Sequence, residues 1–260
     1  GGAGILNIAY ISFVGIGAYT FALLSTVFNF PLWLSFLIAL ISALPVALLF
    51  SYLTARVKGD YLVALSLWLL FVIYIISLNW QEVTRGALGI PGIPRPDIFA
   101  SPERFALFTL LVGLISFASA KCVFSSSFGR TMGAVRDDEL GAATLGKDTL
   151  KIKRSTYLIS ALYASLGGIL LAMFLRFIDP SSFYIDQIVL AFSIVIVGGL
   201  ASLEGTIVAS VLLLLLPEAM RFLSVDPDIV GAFRQGIYAL FLLAIILYRP
   251  KGFFGKITLD

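Results

Sequence analysis

The chain has 260 residues, of which 60% are apolar and only 13% charged, about half the charged share of an ordinary soluble domain. With a mean hydropathy of +1.02 it has too few polar side chains to coat a globular exterior, which excludes a soluble enzyme and a disordered or fibrous chain. A net charge of +3 is too small to mark a nucleic-acid partner, and 0 histidines with a lone Cys122 remove a His base, a His metal ligand and an internal disulfide.

Eight apolar segments follow one another at roughly 5–27, 31–55, 61–80, 105–121, 155–175, 187–203, 206–225 and 233–249. A spanning helix takes ~20 apolar residues, and backbone groups in lipid must be satisfied within the segment. The alternation of barrel strands is absent. The pattern therefore predicts an all-α, polytopic transmembrane helix bundle of about eight spans, forming one domain over 1–260. The chain begins with glycine, close to its first apolar run, and carries no signal-peptide pattern. We expect a further span upstream.

Pro45 and Pro217 stand inside spans and are expected to kink them. Ala164, Gly168 and Ala172, Ala18 with Ala22, and Gly198 with Ser202 repeat every four residues, giving small faces for close helix packing. Glu218 and Arg221, three apart in the seventh segment, are placed to pair. In "KGDY", Gly59 reads as a helix break and Asp60 as a cap. "GIPGIPRP", within a connecting segment at about 81–104, is too proline-rich for a helix and reads as a rigid external loop.

The loops alternate in charge. One set, containing the turn Arg56–Asp60, Lys121 with the long loop at about 122–154 that it opens, the turn at Glu204 and the tail from Arg249, holds 12 of the 18 basic residues and is net +5; the other is net −2. The positive-inside rule places the first set, with the C-terminus, in the cytoplasm. Lys251, Lys256, Phe253 and Phe254 read as an interfacial anchor for the tail. In the long loop, Asp138 is an N-cap before "ELGAATLG", Glu139 suits the positive helix start and Gly146 suits the position after the last turn. The spacing predicts a helix of about eight residues with a small-residue face, framed by Arg130, Arg136, Lys147 and Lys151, and suited to docking in another protein's groove.

"GRTMGAVRDDELGAATLG" resembles the coupling loop of permeases in ATP-binding-cassette importers, with Glu139, Ala142, Ala143 and Gly146 on its Glu-Ala-Ala…Gly pattern. Four more stretches, 1–20, 58–67, 89–96 and 178–210, resemble the LivM-type permeases of branched-chain amino acid importers, in the same order and over nearly the whole chain. This chain has Tyr10 where that branch often carries histidine, lacks the usual asparagine before "GIPGIPRP", and lacks a tryptophan near Glu204. These departures bear on the substrate more than on the fold.

The resemblance implies a permease subunit of the inner membrane with no catalytic site and no cofactor of its own. ATP and Mg would act on two separate ATP-binding subunits. The other implied partners are a second homologous permease, a periplasmic or lipid-anchored substrate-binding protein and the bilayer. Arg130, Arg136, Glu139, Ala142, Ala143 and Gly146 would meet the ATPase, and a bulky residue at Ala142 or Ala143 would block docking. Asn7, Ser12, Gly15, Gly17, Tyr19 and Thr20 are candidates for the solute pathway, on a helix that the glycines would break to expose backbone. The chain has no GxxxxGK[ST] phosphate loop and no carboxylate at a span's midpoint. Urea or a short amide is the alternative substrate. A gradient-driven secondary transporter is the alternative class, although such a carrier has no need of the docking helix.

Overall fold

The computed structural model describes residues 4, 7–54, 57, 60–221, 236 and 240, with backbone alone for 60 and 216–221. The expected Gly59 break, the Asp60 cap, the Glu218–Arg221 pair, the eighth segment beyond Gly236 and Leu240, and the tail anchor lie outside this description. The chain is all-α. Among the described residues, ten α-helices are joined by short turns and a single two-stranded ribbon.

Helix α1 covers Tyr10–Thr26, α2 Leu32–Thr54, α3 Asp60–Asn79, α4 Gln81–Thr84 and α5 Pro102–Ser125. Then come α6 Ser127–Asp137, α7 Glu139–Thr144, α8 Thr149–Leu175, α9 Ile185–Gly198 and α10 Leu203–Arg221. Among the described residues, five stretches are long and apolar enough to cross a bilayer: Leu32–Thr54, Tyr61–Asn79, Pro102–Ser125, Thr149–Leu175 and Pro180–Gly198. Tyr10–Thr26 and Leu203–Leu215 are shorter apolar helices. Seven of the eight expected segments thus coincide with apolar helices. Helix α2 continues through Pro45 and α10 through Pro217.

The described residues group into two compact units, one within Ala3–Tyr184 and one from Ile185 onward. In the first, α1, α2 and α8 pack against one another along small residues. Ser35, Ala39, Ala43, Ala47 and Ser51 form a fully buried stripe with a four-residue step on α2. Ala161, Ser165, Gly168 and Ala172 form the matching line on α8, with Ala164 partly buried beside it. A Cβ on Gly17 would lie 2.7 Å from the Ser165 backbone, and one on Gly168 would meet the Val14 carbonyl. Ser165 also donates its hydroxyl to the Ala39 carbonyl at 2.7 Å, which ties α8 to α2. Ala18 and Ala22 are fully buried.

The C-terminal end of α8 is held by the proline-rich segment. Strand β1, Ile90–Pro91, pairs antiparallel with β2, Phe177–Ile178. The Gly92 and Ile93 amides donate to the Arg176 carbonyl at 3.0 and 3.3 Å. Arg95 donates to the Met173 carbonyl at 3.1 and 2.8 Å and to that of Phe174 at 3.1 Å, while its guanidinium lies 4.0 Å over the Phe105 ring. These carbonyls belong to the last turn of α8, where a helix has no amides left to offer and a cation is favoured.

In the second unit, α9 and α10 form a hairpin on Val197, Ala209 and Leu213. The expected face of Gly198 with Ser202 is corrected here. Helix α9 ends at Gly198, Gly199 and Ala201 turn with positive φ, and Ser202 accepts from the Gly205 amide at 3.1 Å as a cap of α10. Gly198 meets Gly205 instead, where a Cβ would come 2.6 Å from the opposing backbone.

Two substitutions test this packing by unfolding in mixed micelles. Gly168→Val is expected to cost about 3 kcal/mol, the upper end for overpacking, whereas Gly167→Val, with nothing within 4 Å of its Cβ, should stay within about 1 kcal/mol. Arg95→Met should cost about 1.5–3 kcal/mol, as expected for lost hydrogen bonds from a charged donor. It should also speed hydrogen exchange at Gly92 and Ile93.

Candidate docking helix and polar face

The stretch expected to dock is a pair of helices rather than one helix in a loop. Ser126 caps α6 by accepting from the Gly129 amide at 3.3 Å, and Gly129 sits against the Phe124 carbonyl, so α5 turns directly into α6. Gly129, Met132 and Val135 form the buried side of α6. Sequence reading missed this helix, although its apolar residues recur at helical spacing. Asp138 then caps α7 by accepting from the Gly141 amide at 3.0 Å.

At the other end of α7 the Lys147 amide reaches the Ala142 carbonyl at 3.1 Å and the Gly146 amide reaches that of Ala143 at 2.9 Å. With Gly146 at φ +77°, this is the double closure of a Schellman turn. The expected start and stop are both present, although the helix has 6 residues rather than about eight. Asp148 caps α8 at once, by accepting from the Lys151 amide at 2.9 Å.

The six coupling candidates do not share one surface. Ala142 is 4% exposed and packs inward, so a bulky residue there strikes the seat of α7 before it reaches any partner. Glu139 turns onto its own chain, with its Oε1 2.6 Å from the Lys153 Nζ. Arg130 donates to the Ser125 carbonyl at 3.2 Å, and Arg136 pairs with Asp137 at 2.8 Å. The hydrogen bond from Arg136 holds the Asp137 carboxyl below its usual value, against a small opposing effect of burial. Ala143 and Gly146 are exposed. The outward surface also carries Leu140, 74% exposed, and Leu145, 81% exposed, neither of which was singled out by sequence.

The pathway candidates occupy α1 and the residues before it. The expected broken helix is corrected: α1 runs without interruption through Gly15 and Gly17. These glycines serve close packing, Gly15 against the Phe183 ring and Gly17 against Ser165. Ser12 and Tyr19, seven apart and therefore on one face, have buried hydroxyls with no hydrogen-bond partner, and the Asn7 side chain is likewise unpaired at both amide atoms. Thr20 is half-buried on the same helix.

The Tyr19 ring lies 6.0 Å from Phe183, in the 3-10 turn Pro180–Phe183 that Asp179 caps. Burial pushes the Asp179 carboxyl up, but the Ser181 and Ser182 hydroxyls and the Ser182 amide outweigh it and hold the group below its usual value. Among the described residues, no group of three or more acidic or thiol side chains is placed to hold a metal ion.

Comparison with known proteins agrees with this architecture. Residues 1–248 match the family described as branched-chain amino acid transport system / permease component. The high-affinity branched-chain amino acid transport system permease protein LivM of Escherichia coli K12 is 31% identical over 96% of this chain and 64% of its own length. LivM of Salmonella typhimurium LT2 is 30% identical over the same shares. The LivH permease protein of Salmonella typhimurium LT2 is 27% identical over 68% of this chain and 59% of its own. The chain thus spans a little under two thirds of the LivM relatives. No solved structure matches it. With its apolar helices and the match over 248 residues, this multi-pass membrane chain belongs to the family of branched-chain amino acid transport system permease components.

Proposed function

We propose that the chain is a membrane-spanning permease subunit of an ATP-binding-cassette importer, forming part of the pathway for branched-chain amino acids or a related small polar solute. The observation that carries this reading is α7. A helix of 6 residues, capped at both ends, presents exposed Leu140 and Ala143, with Leu145 at its C-cap, between amphipathic α6 and the apolar α8. A carrier driven by a gradient alone has no use for such a surface. An apolar knob of this kind suits the groove of a second protein.

In this reading α6, α7 and the C-terminus face the cytoplasm, in keeping with the excess of basic residues on that side. Two ATP-binding subunits hold ATP and Mg and press on α7. A second homologous permease completes the pathway, consistent with the likeness to both LivM and LivH. A binding protein delivers the solute on the opposite side. Asn7, Ser12 and Tyr19 are the proposed polar contacts of the pathway, because a buried donor left unpaired costs about 1–3 kcal/mol and a passing polar solute or water would satisfy it. The chain itself performs no chemistry.

The test is co-purification from detergent-solubilised membranes, with the chain tagged at its C-terminus and the eluate assayed for ATP hydrolysis. The tagged chain should retain ATPase subunits. Leu145→Arg, at an exposed site, should reduce that retention by roughly 30-fold or more, as for an interface hot spot of ~2 kcal/mol, with membrane insertion unchanged. A chain that purifies without an ATPase and moves solute when reconstituted alone would be a secondary transporter instead.

A further inference from the structure

We propose that α8 is the strut that carries the displacement of α7 to the far end of the bundle, and that Lys153 is the positioning residue that fixes α7 to it. The inference rests on the reading of α7 as the ATPase contact. It goes further by naming the span that receives the movement and the side chain that transmits it.

Helix α7 is tied to α8 twice. Its C-terminal end is joined by the chain, through the Gly146 closure and the Asp148 cap, with only residues 145–148 between the two helices. Its first residue, Glu139, is joined through space by the ion pair to Lys153, on the second turn of α8, at 2.6 Å. Lys153 is itself buried, so this charge-assisted contact is poorly screened. Two attachments at opposite ends of a short helix close a triangle. With the chain connection alone, α7 would swing about the corner at 145–148 and a push would be absorbed there. With the ion pair in place, the push turns α8.

Helix α8 is built to pass it on. Its 27 residues make a rod about 40 Å long. Midway, Ser165 bonds α2 at the Ala39 carbonyl and Gly168 meets α1 at the Val14 carbonyl. The contact between α8 and α1 is backbone on backbone and has no side chain to yield, and the buried Ser165 bond holds α2 to the same pair, so α1 and α2 follow α8 as one body. At the far end Arg95 grips the Met173 and Phe174 carbonyls, and the proline-rich segment moves with them. A Lys153 that served only stability would alter unfolding and assembly but leave the ratio of solute moved to ATP hydrolysed unchanged. A positioning Lys153 alters that ratio.

The experiment uses the complete complex with its ATP-binding chains, second permease and binding protein, reconstituted in liposomes and supplied with radiolabelled leucine. In Lys153→Met, ATPase subunits should still co-purify and hydrolysis should stay within about twofold, while leucine moved per ATP should fall at least tenfold; Lys153→Arg should recover most of it. A ratio unchanged in Lys153→Met overturns the proposal. A second measurement depends neither on leucine nor on the survival of that variant. Spin labels are placed on Thr144→Cys in α7 and Leu175→Cys at the end of α8, with the exposed Cys122 first replaced by serine. With Lys153 present, their separation should be the same without nucleotide and with ATP and Mg. A separation that changes between those states overturns the strut. If the unaltered chain retains no ATPase, the functional reading fails and this inference fails with it; retention of ATPase together with a changing separation fails the strut alone.

Discussion

The first unit depends on the approach of α1 to α8 at Gly17 and Gly168. In a bilayer there is little to gain by moving apolar side chains from lipid to protein, so helices associate through close van der Waals fit and hydrogen bonds between them. Both are present at this crossing. The glycines bring backbone against backbone, and Ser165, next to Gly17, reaches across to the Ala39 carbonyl. The buried stripe Ser35–Ala39–Ala43–Ala47–Ser51 lets α2 join at similarly close range. Larger residues at these places would hold the three helices apart and leave the polar contacts out of reach.

Against that apolar background the few charged residues stand mostly where elements change direction. Asp138, Asp148 and Asp179 each satisfy amides at a helix start. Arg95 answers carbonyls at the end of α8, and Lys153 with Glu139 closes the corner between α7 and α8. Arg154, beside Lys153, lies 4.0 Å over the Tyr52 ring and joins the ends of α8 and α2. Helices end where four amides or carbonyls lack partners, and these side chains supply some of them. Charge here sets corners and lengths.

Much of this was legible in the sequence because the governing signals are local. Uninterrupted apolar length located the long apolar helices, though not α4 or α6, and the Asp138 and Gly146 signals located α7 within a stretch that otherwise looks like a loop. Local signals also misled. Ser202 stands four residues after Gly198 and suggested a helix face, but Gly199 and Ala201 adopt positive φ and turn the chain between them. Glycines in α1 suggested a break, yet helix packing holds them in regular conformation. The four-residue stripe of α2 lay in plain view and was passed over for shorter ones. What sequence could not supply was partnership at a distance. The contact of Arg95 with Met173 spans 78 residues, and nothing near "GIPRP" announces a helix end so far away. The exposed leucines of α7 and the inward turn of Ala142 and Glu139 likewise depend on where α6 and α8 lie.

The bond from Ser165 to Ala39 spans 126 residues, and this separation sets a timetable for synthesis. At 5–20 residues per second, α2 emerges roughly 6–25 s before the serine that will hold it. During that interval α1 and α2 wait in the membrane as a hairpin, with their alanine and glycine faces uncovered and able to meet the wrong neighbour. The order of translation thus favours a late closure, in which α8 enters between earlier helices and locks them together. A ribosome that stalls before α8 would leave a membrane species that is inserted but not yet folded, which is the form that quality-control proteases in the bilayer are placed to remove.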